Sequence, residues 1–326
     1  MKRPRPEGES ASVGSARTHR LPMGAAAYVF EEATRRRLAE DRIVEDLRAA
    51  GYREAIVPSA DYLGPYLSHL SSREERELYR FVDRHGDTLA LRADFTIALA
   101  RHLSPRLGPD SAVERVFYRG EVLRGGTRDG ASAEFYQVGA ELLGDRSAEG
   151  ELEIVERCLA ALRAAGAREP HLVLSAVGAL EEMLAPEASG ESGLALAEAV
   201  RDRRLSDSGR EARAISSGFA GRVRRLLEGD LAPEDPLLDR AVGTGDSLRR
   251  VARALSSRPG CRIAIDVAEP ASRSYYTGFF FTAYGETGGE PIAGGGRYDG
   301  LYGAFGAPRP AVGFALGLES VVGSSR

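Results

Sequence analysis

Apolar and polar residues alternate along this chain in two distinct periods. Between Ala26 and Ala50, Val29, Phe30, Ala33, Val44 and Leu47 fall on one broad face, and charged residues fill much of the rest. The pattern predicts a helix, with Gly51 in the position of its C-terminal cap. Arg53 to Pro58 reads as a short strand ending at proline. Tyr79 to Asp83 and Leu89 to Arg92 form the arms of a predicted hairpin, whose polar turn contains Gly86. Ala93 to Leu103 reads as a helix with Asp94 near its start. Arg115 to Leu123 and Glu134 to Leu143 read as antiparallel strands, joined by a loop rich in Gly, Ser, Thr and Ala. A helix over Glu151 to Ala165 and a strand over His171 to Ser175 follow. From about Ala179 to Ser256 the chain is Ala- and charge-rich, broken by Gly and Pro, and reads as an inserted helical subdomain. Arg262 to Val267 resumes the sheet, and a final helix closes the chain. Helices segregated around several strands predict an α+β fold, with an antiparallel sheet flanked by helices.

Composition narrows this picture. With 43% hydrophobic residues in 326, a sizeable core is available. No apolar run approaches the roughly 18 residues of a membrane helix, and the N-terminus has no apolar signal core. Cys158 and Cys261 are the only cysteines and lie outside any metal-ligand spacing. The expectation is a cytoplasmic chain with no metal site and no disulfide framework. Residues 1–20, rich in Gly, Ser, Pro and Arg, read as a disordered tail, with an RNA-binding arm as the functional alternative. Residues 21–326 form the core. The net charge of −4 argues against a tRNA partner.

One strand is readable side chain by side chain. In Phe135 to Glu141, Tyr136, Val138 and Ala140 share one face; Gln137, Gly139 and Glu141 share the other. Gln137 and Glu141 lie about 13 Å apart at ~3.3 Å per residue, with Gly139 leaving space between them. Two inward polar groups could grip the ends of a small amino acid; a solvent-facing strand is the plainer reading. Arg119 and Glu121 share a face of the preceding strand, as a surface ion pair or as pocket groups. Asp94 is most simply an N-cap. Tyr275 and Tyr276 are expected on opposite faces of a strand running towards Tyr284, one of them in the core.

Several blocks then carry a resemblance. Arg119-Gly120-Glu121, a loop, and Glu134-Phe135-Tyr136-Gln137-Val138-Gly139-Ala140-Glu141 resemble the second motif of class II synthetases. The helix, Gly51-Tyr52, strand and Pro58 resemble the first, which builds the dimer interface in that superfamily. Tyr275-Tyr276-Thr277-Gly278, Gly294-Gly295-Gly296-Arg297-Tyr298-Asp299-Gly300-Leu301 and Pro310-Ala311-Val312-Gly313-Phe314-Ala315-Leu316-Gly317-Leu318-Glu319 resemble a histidyl-tRNA synthetase core. The resemblance covers roughly residues 21–178 and 260–326. It implies a histidine site at Asp94, Thr96, Arg119, Gln137, Glu141, Tyr275 and Tyr276.

The departures are as informative. Where the synthetases carry an arginine four residues before the tyrosine pair, this chain has Ala271. Their third-motif arginine is Ser320 here. The second-motif loop is longer, with Ala131 at an arginine position, and Arg124 or Arg128 as possible substitutes. Arg273 is displaced by two positions from the missing arginine. Losing one cation that stabilises transferring phosphate typically costs ~10²–10³ in rate. The sequence also stops short of an anticodon-binding domain. In sum the chain resembles the ATP phosphoribosyltransferase regulatory subunits. That family implies a non-catalytic role with no cofactor, a short-form catalytic partner, histidine biosynthesis and histidine feedback, and a homodimer. A stand-alone ligase that adenylates an amino acid remains the rival reading, supported by Arg119, Glu121, Gln137 and Glu141.

Overall fold

The computed structural model describes residues 21, 24–108, 112–125, 133–188, 190–204, 209–210, 212, 216–258, 260–286, 289–306 and 308–324. The expected tail over 1–20, Arg128 and Ala131 lie outside the described residues.

Helix α1 spans Phe30–Ala49 and buries Ala39, Ile43, Val44 and Leu47. Gly51, at φ +85°, turns the chain out of it, and Tyr52 N donates to Leu47 O at 3.0 Å. The expected stripe is therefore real at its C-terminal end only. Val29 is 57% exposed and Phe30 82%, so the first turn is not part of this chain's own core. Strand β1 is short, Arg53–Glu54.

β2 (Ala60–Tyr62), β3 (Arg80–Val82) and β4 (Thr88–Leu91) form a small antiparallel sheet in the order β2-β4-β3. The hairpin expected from the sequence is its β3–β4 pair. The short helices α2 (Gly64–Leu67) and α3 (Ser72–Arg76) lie between β2 and β3; a Ser71–Glu74 capping box starts α3. Helix α4 (Phe95–Leu103) follows, capped by Asp94, which accepts from Ile97 N at 3.0 Å.

The main sheet has eight strands. β5 (Glu114–Leu123) and β6 (Glu134–Leu143) pair antiparallel along their whole length. Helix α5 (Ala148–Ala164) begins at the Ser147 cap, whose hydroxyl accepts from Gly150 N. Strand β7 (His171–Ala176) leads into helices α6 (Ala179–Leu184), α7 (Gly190–Arg201), α8 (Ser217–Glu228) and α9 (Gly245–Ser256). β8 (Arg262–Ile265), β9 (Phe279–Tyr284), β10 (Pro291–Arg297), β11 (Ala311–Gly317) and helix α10 (Leu318–Ser324) complete the chain. The strand order is β1-β5-β6-β11-β10-β9-β7-β8.

This sheet is mixed, which corrects the antiparallel expectation. The strands from β5 to β7 are antiparallel, but β1 runs parallel to β5 and β7 parallel to β8. The reason is connectivity. Adjacent parallel strands need a crossover of a dozen residues or more. The helical segment from about 179 to 256 is that crossover between β7 and β8. Its composition marks a helical insertion, but composition alone does not fix the direction of the strands it joins.

One hydrophobic cluster joins α1, α5, α6 to α9 and the helix side of the sheet, with Leu174, Leu248, Val251 and Phe281 all within 1% of complete burial. The crossover helices thus share the main core. Leu248→Ala should then cost about 2–5 kcal/mol. Urea unfolding followed by far-ultraviolet dichroism and by tyrosine fluorescence should stay coincident. Separate transitions for the two probes would mean that the helical segment folds by itself.

Candidate functional site

The opposite face of the sheet holds a cavity of about 310 Å³. Its floor is built from small residues that the strand register brings side by side. Gly313 of β11 lies opposite Glu141 of β6, Ala315 opposite Gly139, and Gly317 opposite Gln137. Gly294 and Gly296 of β10 continue the row beside Ala315 and Gly313. A β-carbon on Gly313 would collide with Glu141 Oε2 and stand 2.6 Å from Tyr298 OH. Side chains from β5, β6 and the segment before β9 therefore reach across this floor because it has almost none of its own.

Gln137 and Glu141 do share the cavity side of β6. Gln137 lines the cavity and is mostly buried. Glu141 lies deeper, 1% exposed, and Thr96 Oγ1 donates to its Oε1 at 2.9 Å. Among the described residues its Oε2 has no hydrogen-bond partner, and neither does the buried Tyr298 hydroxyl. Burial pushes the Glu141 carboxyl well above the usual carboxylate range, the Thr96 hydrogen bond opposes that, and nearby Asp94 adds to it. The space left by Gly139 is taken by Tyr118, whose hydroxyl a β-carbon at 139 would strike. Tyr118 stacks on Phe95 at 4.3 Å between centroids and forms part of the wall.

Asp94 is both the cap and a wall residue. Its Oδ2 accepts from Tyr275 OH at 3.2 Å and lies 3.3 Å from Arg273 Nε. Arg92, over the Phe95 ring at 4.0 Å, donates to the carbonyls of Val57, Pro58 and Glu121 and so fixes the start of α4. Tyr275 and Tyr276 are not on opposite faces of a strand. They precede β9 in a turn, and both line the cavity. They meet edge to face at 5.5 Å, with Tyr298 edge-on to Tyr275 at 5.6 Å.

Arg119 is not part of the cavity. The β5–β6 register sets it opposite Val138, on the helix side of the sheet, where it pairs with Glu40 and Glu54 at 2.9 Å each. The pattern of one strand does not reveal its register with the next, and here that register turns the shared face of Arg119 and Glu121 away from the cavity. Glu121 is exposed on that same side.

Among the described residues two cations enter the cavity: Arg124, just beyond β5, and Arg273, in the turn before the tyrosine pair. Arg273 is braced by Asp94 and by Glu74 at 3.4 Å. Ser320 also lines the cavity, so the positions lost by substitution at 271 and 320 are partly answered from elsewhere. Among the described residues no group of three His, Cys, Asp or Glu could hold a metal ion. Cys158 and Cys261 are free thiols. No helix of the described residues is long and apolar enough to cross a membrane.

Residues 24–321 match a family model described as histidyl-tRNA synthetase. An ATP phosphoribosyltransferase regulatory subunit from Moorella thermoacetica is 33% identical over 322 residues, covering 93% of this chain and 81% of that relative. The chain belongs to the ATP phosphoribosyltransferase regulatory subunit family. A second such subunit, from Carboxydothermus hydrogenoformans, is 30% identical over 318 residues, covering 93% of this chain and 96% of its own. The crystal structure of an ATP phosphoribosyltransferase regulatory subunit/histidyl-tRNA synthetase from Bacillus halodurans C superimposes with a TM-score of 0.81. It is 24% identical and covers 94% of this chain and 83% of that one, a likeness of fold.

For a regulatory subunit the cavity is well furnished, and part of it has no signal in the sequence. Tyr298 stands inside the Gly294–Leu301 motif, but nothing in its spacing marks an inward hydroxyl. Tyr118 and Phe135 read as ordinary strand aromatics.

Glu141 makes the folded protein pH-sensitive. Its raised titration means that the folded state keeps a proton which the unfolded chain has already released. Its contribution is complete below the ordinary glutamate range and is lost as pH rises through the raised value. Glu141→Gln has no such loss. Its melting temperature should therefore gain on the wild type over the window that opens just above the ordinary glutamate value of about 4.3. Parallel curves over that window would show that the carboxyl titrates normally.

Proposed function

We propose that this chain acts as the regulatory subunit of ATP phosphoribosyltransferase, working with a short-form catalytic subunit and binding histidine in the cavity. The observation that carries the ligand is the buried pair at its deep end. Glu141 Oε2 and the Tyr298 hydroxyl, both close to Gly313, have no hydrogen-bond partner among the described residues, and an imidazole ring has donor and acceptor nitrogens to satisfy them. Asp94 at the wall suits an ammonium group, with Gln137 and Thr96 close by and Tyr275 and Tyr276 enclosing the ring. Arg119 serves instead to hold α1 and β1 to the sheet.

Self-association as a homodimer is supported by the apolar surface that the first motif leaves uncovered. Phe30, Val29 and Leu38 of the α1 region and Ile56, 91% exposed beside β1, form no part of the core. The solved ATP phosphoribosyl transferase complex from Thermotoga maritima contains a chain of this fold, with a TM-score of 0.65 and 20% identity. A catalytic partner is therefore the natural assembly to test.

A second reading has its own observation. Arg124 and Arg273 give the cavity two cations in spite of Ala271 and Ser320, and a ligase that adenylates its amino acid needs such cations. Histidine-dependent ATP–pyrophosphate exchange separates the readings. A regulatory subunit should show none above background, and turnover near that of a synthetase would favour the ligase. In sedimentation the chain should run as a dimer and shift to a larger species with a short-form transferase, whose activity it should restore and make histidine-sensitive. An unaltered partner in that coupled assay would defeat the regulatory role.

Titration calorimetry tests the ligand directly. Glu141→Ala should weaken histidine by roughly tenfold or more, about 1.4 kcal/mol. An unchanged affinity would move histidine to another site.

A further inference from the structure

Asp94 already has company. Its Oδ1 accepts from Ile97 N, and its Oδ2 is shared by the Tyr275 hydroxyl at 3.2 Å and Arg273 Nε at 3.3 Å. Arg273 also reaches a second carboxylate: its Nη1 lies 3.4 Å from Glu74 Oε1. One guanidinium is thus divided between a residue of the cavity wall and a residue of α3 behind it.

The local fold holds Glu74 ready for that role. Its Oε2 accepts from both N and Oγ of Ser71 at 2.8 Å, which closes the capping box. Ser274, in the turn that carries Arg273, donates its hydroxyl to the same oxygen at 3.4 Å and to His69 O at 3.1 Å. Oε2 is spent on holding α3 to the turn, and Oε1 is left for Arg273. Charge points the same way. Asp94, Glu74 and Glu77 face Arg124 and Arg273 around a small crevice beside the cavity. Three carboxylates against two guanidiniums leave one negative charge among these residues, the complement of a single ammonium.

We propose that Glu74 is a positioning residue for the ligand's ammonium: it takes Arg273 over from Asp94, so that Asp94 can accept the amino group and the cavity selects a ligand that carries one. This rests on the histidine reading above, in which Asp94 takes the ammonium. The ammonium and Arg273 compete for one carboxylate oxygen. A guanidinium displaced from Asp94 with no other anion in reach would be a largely buried, unpaired charge, which is costly. With Glu74 beside it, Arg273 gives up one carboxylate and keeps the other. A ligand without an amino group displaces nothing and is indifferent to Glu74.

Calorimetry on the full chain with histidine and with deamino-histidine, the same molecule without its amino group, tests this. The wild type should prefer histidine by at least about tenfold. Glu74→Gln can still close the capping box. It should lose most of that preference by weakening histidine while binding deamino-histidine as the wild type does. In an Arg273→Gln background, which removes the competitor, the same change should leave histidine affinity unaltered, because Glu74 acts through Arg273. Glu74→Ala is read against the same two compounds and covers failure of the glutamine variant to fold. A Glu74 variant that keeps the preference, weakens both compounds alike, or weakens histidine equally with and without Arg273 would overturn the role of Glu74 and leave the histidine site standing. A wild type that binds both compounds equally would overturn Asp94 as the ammonium contact as well. A wild type that binds neither would overturn the histidine site and this assignment together.

Discussion

The buried carboxyl of Glu141 is the interaction on which the cavity depends. It belongs to β6, it occupies the space that a side chain on Gly313 of β11 would need, and it takes a hydrogen bond from Thr96 at the start of α4. Three separate parts of the chain are thereby fixed to one side chain. Leaving its second oxygen unpartnered costs about 1–3 kcal/mol, a penalty that a ligand with a suitable hydrogen can remove. The burial that shifts its titration also makes it a sensitive reporter of what fills the site.

The rest of the wall follows from that floor. Glycines and alanines on β10 and β11 keep the surface low, so long side chains from elsewhere can lie across it. Tyr118 crosses Gly139, and Tyr275 and Tyr276 close in from the turn before β9. Tyr118 and the Tyr298 hydroxyl occupy space that a side chain on Gly139 or Gly313 would need. Substitution of a floor glycine would therefore disturb residues distant in sequence.

Much of this was legible in the chain itself. Period-two alternation in β6 put Gln137 and Glu141 on one side, the Asp94 cap marked the start of α4, and the hairpin at 80–91 was found from its turn. What the sequence did not show was the register between strands and the pairing of strands distant along the chain. Arg119 went to the helix side because Val138 stands opposite it, and no single strand encodes its partner's register. The parallel strands at both ends of the sheet depend on where the chain re-enters after long connections. Tyr275 and Tyr276 alternate like strand residues but lie in a turn, because β9 begins only at Phe279. The apolar turn at Phe30 looked like core because periodicity cannot tell a surface buried by its own chain from one left open.

The strand order also bears on the sequence of events during folding. β5 and β6 are close neighbours along the chain, as are β9 and β10, so each pair can form early at little entropic expense. β11 follows β10 closely and can join that pair, but its pairing with β6 joins residues roughly 170 positions apart, a large loop to close. Glu141 meets Gly313 only in that last register. No partly assembled form of the chain has the floor of the cavity. Any compound that binds there recognises the finished protein alone, and its concentration relative to its dissociation constant adds directly to the free energy of unfolding.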